Sequence, residues 1–118
     1  MKNNSIIGYT SGVFDLFHVG HLNILKNARS LCDKLIVGVS TDELVELYKK
    51  KTPIIKFSER IEIVRSIKFV DAVIAQDTMD KYEIWRKLKF NTMVVGDDWY
   101  KTEKGWSTFH IQKERLQH

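Results

Sequence analysis

The sequence has few of the residues that cross-link, stiffen or anchor a chain. Its 118 residues include one cysteine, Cys32, and one proline, Pro53. A single cysteine cannot form an internal disulfide, which excludes a disulfide-stapled secreted domain and favours a cytoplasmic protein. No apolar run approaches the roughly 18 residues of a membrane-spanning helix, so we expect no membrane partner. The apolar stretch near the N-terminus is too short for a signal peptide.

Internal repeats, low-complexity tracts and an extreme charge are also missing. The formal net charge of +4 is a modest excess that suits an anionic ligand such as a nucleotide. The composition is that of a globular protein, and a chain of this length can bury a real core. We therefore expect one domain over residues 1–118. A nucleic-acid partner is not expected, because the lysines concentrate in one loop instead of forming a stripe.

Short apolar runs alternate with segments of helical periodicity. The predicted strands cover residues 5–10, 34–40, 71–75 and 92–95. The predicted helices cover residues 20–31, 41–47, 58–67, 80–88 and 107–116, and Ser58 is a candidate cap for the third. This order predicts an α/β fold of the Rossmann-like type, with helices on both faces of a parallel sheet. Ligands of such sheets bind beyond the carboxyl ends of the strands.

Two histidines enclose a glycine where the first predicted strand leads into a helix. Residues 11–21 read SGVFDLFHVGH, which places His18 and His21 three positions apart. The first turn of a helix attracts anions, and residues three apart can face the same ligand. Each imidazole can donate an N–H to a phosphate oxygen or take up a proton. Gly20 is expected to leave space for a ligand beside the backbone, so the segment predicts a phosphate site.

A metal site is the main alternative for this histidine pair. Zinc requires three or four ligands, and Cys32 lies at the far end of the helix. We therefore predict no resident metal. A chance His-x-Gly-His on a surface loop is a second alternative, and its position behind Gly-Val-Phe-Asp at a strand-to-helix turn argues against it.

The histidine segment resembles the G-[TV]-F-D-x-x-H-x-G-H signature of the cytidylyltransferase family and its adenylyltransferase relatives. Matching segments follow in order at residues 39–43, Lys49, Lys51, Arg60, 69–71 and 95–99. The Gly-Asp-Asp-Trp form of the last segment is most similar to the glycerol-3-phosphate cytidylyltransferase branch. The family pattern then continues into a strand, Thr-x-Gly-x-Ser-Thr-Thr and a closing helix, and nothing after Trp99 matches. We expect the domain to lack that strand and helix and to bind nucleotide weakly.

The resemblance implies roles for individual residues. The implied nucleotide-binding residues are Val13, Phe14, His18, Gly20, His21, Lys51 and Asp98. Lys49 and Lys81 are implied to bind the acceptor, and His18, His21 and Lys49 form the implied catalytic group. Lys50 is expected to point away from the site, whereas one of Arg60 and Arg65 is expected to face phosphate.

The resemblance also implies a reaction. A phosphate oxygen of the acceptor attacks the α-phosphorus of CTP in line and expels pyrophosphate, with Mg²⁺ assisting. With glycerol 3-phosphate as the phosphorylated alcohol, the product is CDP-glycerol, a precursor of teichoic acid or capsule. The alternatives are phosphocholine, phosphoethanolamine or a sugar phosphate as acceptor, adenylyl transfer to a sugar phosphate or FMN, and a non-catalytic nucleotide-binding fragment. A homodimer is a further expectation, because the family is commonly dimeric.

Overall fold

A parallel sheet organises this computed structural model, which describes residues 5–96 and 106–110. The strands are β1 (Ile7–Gly12), β2 (Lys34–Ser40), β3 (Ala72–Gln76), β4 (Thr92–Gly96) and β5 (Trp106–His110), in the sheet order β3-β2-β1-β4-β5. Strands β1 to β4 run parallel, and β5 pairs antiparallel with β4. The helices are α1 (Val19–Arg29), α2 (Asp42–Lys49), α3 (Phe57–Arg65) and α4 (Lys81–Leu88). The predicted α/β, Rossmann-like fold is confirmed.

The two faces of the sheet carry separate apolar clusters. One cluster joins β2 to α1 and α3, and it includes Leu25, Val37 and Val64, all fully buried. The other centres on Tyr9 and Ile84 and lies under α4. Helices therefore cover both faces, which explains the nearly continuous apolar run of β2. None of the helices within the described residues is long and apolar enough to cross a membrane.

The last predicted helix is wrong over the part that the structure describes. Residues 106–110 form strand β5, which pairs with β4 from Thr92↔His110 to Gly96↔Trp106. The sequence WSTFH is rich in residues that favour strands, and a short apolar segment carries little periodic information. Residues 111–116 of the predicted helix lie outside the described residues.

The start of α3 also differs from the prediction. Lys56 is the N-cap residue and makes no side-chain cap, whereas Ser58 lies inside the first turn. Tertiary contact fixes this start instead, because the N–H of Phe57 donates to the carboxylate of Asp42. A capping residue was therefore not needed where a neighbouring helix supplies the acceptor.

Arg60 fastens together the segments that surround the carboxyl ends of β1 and β2. Its side chain is fully buried. It donates to the carbonyls of Ile55 at 2.7 Å and of Val13 and Ser40 at 2.8 Å each, and it pairs with Asp42 at 2.5 Å. A buried guanidinium is stable only when its charge and its N–H groups are satisfied. One side chain thus makes hydrogen bonds to four segments: the loop after β1, the end of β2, the start of α2 and the loop before α3.

We predict that Arg60→Met lowers the free energy of unfolding by about 3 kcal/mol, the lower end of the scale for removing one member of a buried ion pair. The variant leaves the Asp42 carboxylate and three carbonyls without their donor. Urea unfolding measures the loss. Arg65→Met is the matched control, because Arg65 pairs with Glu62 on the exposed side of the same helix and should cost less than about 1 kcal/mol. Equal losses in the two variants would contradict the network.

Candidate functional site

A cleft of about 460 Å³ lies at the carboxyl ends of β1, β2 and β3. Its lining comes from the end of β1 and the loop that follows, from α1, from the end of β2, from α2 with the loop after it, and from the end of β3 with the loop after it. This is the edge where the parallel sheet predicts a ligand site. The lining includes five residues from the sequence prediction, namely Val13, Phe14, His21, Lys49 and Lys51.

The loop after β1 is held in a strained shape. Phe14 and Leu16 have φ angles of 55° and 52°, in the left-handed region that bulky residues rarely adopt. Such strain persists where surrounding structure over-determines the backbone. Here the side chain of Phe14 is buried in the core, and the carbonyl of Val13 accepts from Arg60. Val13 and Phe14, which line the cleft, are therefore held in a fixed shape.

The two histidines cap helix α1 reciprocally and lie side by side, as predicted. His18 Nδ1 accepts from the N–H of Gly20 at 2.9 Å, and His21 Nδ1 accepts from the N–H of His18 at 3.1 Å. The ring centroids are 4.2 Å apart. Because each Nδ1 is an acceptor, each neutral ring carries its proton on Nε2. The pair thus offers two Nε2–H donors, His21 from the cleft lining and His18 from an exposed position beside it.

Gly20 has a different physical role from the one expected. A Cβ atom at this position would lie 2.6 Å from Cε1 and 3.0 Å from Nδ1 of His18. The glycine therefore makes room for the capping ring of His18, and it is not among the residues lining the cleft. Its contact with a nucleotide stays a prediction.

Asp15 is a site residue that the sequence analysis did not assign. Its two carboxylate oxygens accept the backbone N–H groups of Ile54 and Ile55, each at 2.8 Å. Burial acts to raise the pKa of Asp15, but these hydrogen bonds and the charge of Arg60 outweigh it and lower the pKa. The carboxylate thus holds the loop after α2, residues 50–56, against the loop after β1, residues 13–18. These two segments are called the lysine-bearing loop and the histidine loop. Its position beside the histidine motif was visible in the sequence, whereas its partners were 39 and 40 residues away.

The lysine run divides as predicted. Lys49 ends α2, and Lys50 turns the chain through a left-handed conformation with φ of 58°. Lys49 and Lys51 line the cleft, whereas Lys50 does not. The two cations face the same space as the histidine loop.

Other predicted residues are placed elsewhere. Lys81 begins α4 and is not among the residues lining this cleft, so its contact with an acceptor stays a prediction. Asp98 lies outside the described residues. Arg60 does not face phosphate, because its buried guanidinium is engaged by internal partners. Arg65 pairs with Glu62 and is not among the residues lining the cleft, so its contact with phosphate stays a prediction. Within residues 5–96 and 106–110, no group of three or more His, Cys, Asp and Glu could hold a metal ion.

Stability should fall in mild acid because of His21. Partial burial, then the neighbouring His18, lowers the pKa of His21 below 6.5, although Asp15 opposes the shift. Near and below pH 6.5 the unfolded chain therefore binds more protons at His21 than the folded chain, so the free energy of unfolding decreases as pH falls. Thermal unfolding between pH 7.5 and 5 measures this slope. In His21→Asn, whose amide oxygen can still accept the His18 N–H, the slope should shrink; an unchanged slope would assign it to other groups.

Comparison with known proteins agrees with this geometry. The sequence model of the family described as cytidylyltransferase-like matches residues 9–116. FAD synthase of Thermococcus onnurineus is 42% identical over 89 residues, which cover 74% of this chain and 59% of that protein. Glycerol-3-phosphate cytidylyltransferase of Bacillus spizizenii is 42% identical over 91 residues, covering 76% of this chain and 70% of that protein.

A solved structure shares the fold. The lipopolysaccharide core biosynthesis protein of Thermoplasma volcanium has a TM-score of 0.75 and 29% identity, over 86% of this chain and 81% of that one. The chain spans less than two thirds of the length of the Thermococcus onnurineus relative. With the family match extending over most of its length, the chain belongs to the cytidylyltransferase-like family.

Proposed function

We propose that this chain transfers a nucleotidyl group from a nucleoside triphosphate to the phosphate of a small molecule. The supporting observation is one cleft that joins the strained loop after β1 and His21 to Lys49 and Lys51. The reaction must bring two polyanions together, and a site with N–H donors on one side and cations on the other offsets their repulsion. The nucleotide belongs beside the histidine loop, at the start of α1. The acceptor phosphate belongs beside Lys49.

The chemistry needs no nucleophile from the protein. A phosphate oxygen of the acceptor forms a bond to the α-phosphorus, the bond to the bridging oxygen breaks, and pyrophosphate leaves with the electron pair. Catalysis of this kind depends on positioning and on stabilising charge in the transition state. The Nε2–H groups of His18 and His21 are preorganised for that task, because their Nδ1 atoms are held by backbone N–H groups.

Magnesium fits this site as an ion held by the substrate. Asp15 is the one carboxylate lining the cleft among the described residues, and both of its oxygens already accept N–H groups. Mg²⁺ usually keeps several waters and binds phosphate oxygens directly. In this proposal the ion therefore arrives with the triphosphate and neutralises part of its charge.

Two substrate pairs fit the proposal. ATP with FMN leads, because relatives in Thermococcus are FAD synthases and because Leu44, Val45 and Met79 give the acceptor side an apolar wall. CTP with glycerol 3-phosphate is the second pair, favoured by the Gly-Asp-Asp-Trp sequence and by the Bacillus relative. Residues 97–99 of that sequence lie outside the described residues.

A measurement of pyrophosphate release tests the function. ATP and CTP are each combined with FMN and with glycerol 3-phosphate, in the presence of Mg²⁺. We expect the combination of ATP and FMN to turn over fastest. A faster reaction of CTP with glycerol 3-phosphate would assign the chain to the second pair. Nucleotide binding without pyrophosphate release from any combination would leave a binding fragment and refute the transfer.

Variants at the cleft should distinguish the effect of the lining residues from the effect of positive charge nearby. We predict that His21→Ala lowers turnover by about 10²-fold or more, the scale for losing one preorganised donor to developing charge. Lys49→Ala should raise the KM for the acceptor, because it removes the cation beside the acceptor phosphate. Lys50→Ala is the matched control and should leave both constants unchanged, since Lys50 is not among the lining residues. An equal effect at Lys50 would mean that the lysines act only through net charge.

A further inference from the structure

The end of β3 places a buried amide in the cleft. Gln76 lines the cleft and is only 5% exposed. Its Oε1 accepts the hydroxyl of Tyr9 at 2.5 Å, and its Nε2 has the sulfur of Met79 at 3.7 Å as its hydrogen-bond partner. A thioether is a weak acceptor, so the amide keeps most of its capacity to donate.

The hydroxyl of Tyr9 fixes the orientation of the Gln76 amide. Tyr9 is fully buried, and burial raises the pKa of its hydroxyl, which therefore remains a donor and requires an oxygen acceptor. Tyr9 reaches Gln76 by crossing Gly38, where a Cβ atom would lie 1.8 Å from the Tyr9 hydroxyl oxygen. A reversed amide would place Oε1 against the sulfur of Met79 and two N–H groups against the hydroxyl. The Nε2 group is thus the part of Gln76 left for a ligand.

Gln76 lies on the acceptor side of the cleft. Ser40 at the end of β2 is its neighbour in the sheet, and the N–H of Thr41 donates to the Gln76 carbonyl at 3.0 Å. Helix α2, which ends at Lys49, begins directly after this pair. The histidine loop follows β1, two strands away from β3. Because Lys49 and Gln76 line the same cleft, a molecule whose phosphate meets Lys49 shares that space with Gln76.

Among the described residues, this side of the cleft carries no unengaged carboxylate. Asp15 supplies the carboxylate among the described lining residues, and its oxygens accept the backbone N–H groups of Ile54 and Ile55. The other charged lining residues are Lys49 and Lys51, which are cations themselves. Met79, 55% exposed at the rim, adds apolar surface beside the amide. A cationic group placed here would lose its hydration without gaining a counter-charge.

We propose that the acceptor is a phosphorylated molecule with an uncharged head group, and that Gln76 determines this specificity by donating from Nε2 to an oxygen or nitrogen of that head group. The inference rests on the proposed function. It admits phosphorylated polyols and phosphorylated ring systems with acceptor atoms. It excludes acceptors that carry an amine or a quaternary ammonium, such as phosphoethanolamine and phosphocholine.

Calorimetric titration of the whole chain with glycerol 3-phosphate, FMN, phosphoethanolamine and phosphocholine tests the proposal without requiring turnover. We expect at least one neutral acceptor to bind about tenfold or more tightly than both cationic ones. Gln76→Leu should weaken the neutral acceptor by about 3- to 10-fold, the scale of one hydrogen bond. Gln76→Glu keeps an acceptor for the Tyr9 hydroxyl and should invert the preference toward the cationic molecules. Asp77→Asn, which alters a neighbour outside the cleft lining, is the control and should change nothing.

Steady-state measurements separate specificity from a merely structural role. In Gln76→Leu the KM for the neutral acceptor should rise while kcat and the affinity for the nucleotide stay unchanged. A parallel loss of nucleotide affinity would show that Gln76 only supports the fold. Equal binding of neutral and cationic acceptors, or binding of no neutral acceptor, overturns the inference. If instead the preference is observed but no pyrophosphate is released, the proposed function fails and the specificity of the site stands.

Discussion

The buried guanidinium of Arg60 is the contact on which the shape of the cleft depends. It joins the histidine loop, the end of β2, the start of α2 and the loop before α3 through three carbonyls and one carboxylate. The same cation also lowers the pKa of Asp15, which holds the lysine-bearing loop. Burying an unpaired charge would destabilise the fold, but this guanidinium holds the segments together because its neighbours accept its hydrogen bonds. Because Arg60 makes these internal hydrogen bonds, Lys49 and Lys51 remain available to a ligand in the cleft.

The histidine pair shows how one set of contacts can serve both folding and chemistry. Capping the first turn of α1 occupies Nδ1 of His18 and His21, and that occupation leaves the Nε2–H groups as donors. Helix stability and the tautomer of each ring therefore depend on the same bonds. Gly20 is required by this arrangement, since any side chain there would collide with the His18 ring. Loss of the cap would disturb the phosphate site and the helix together.

Hydrogen bonding divides the polar groups of the cleft into two classes. The carboxylate oxygens of Asp15 accept from backbone N–H groups, the backbone carbonyl of Gln76 accepts from the N–H of Thr41, and its side-chain Oε1 accepts from the hydroxyl of Tyr9. Lys49, Lys51 and Gln76 line the cleft, and the Nε2 group of Gln76 has the weakly accepting sulfur of Met79 as its partner. The charged and amide groups left over in the described lining are donors. Such a site is complementary to phosphate and to neutral acceptor atoms, and it opposes a cationic substrate.

The sequence by itself determined the alternation of strands and helices, the parallel sheet and the position of the histidine pair, because apolar periodicity and a motif within 11 residues are local signals. The tertiary structure adds a role for Gly20 that the sequence did not predict, since the ring beside it belongs to the helix cap. Only the tertiary structure decided that Arg60 is internal, that Asp15 holds a loop and that Tyr9 orients Gln76. These partners lie 5 to 67 residues apart along the chain. Their meeting depends on strand order and on packing across the sheet, which no short stretch of sequence encodes.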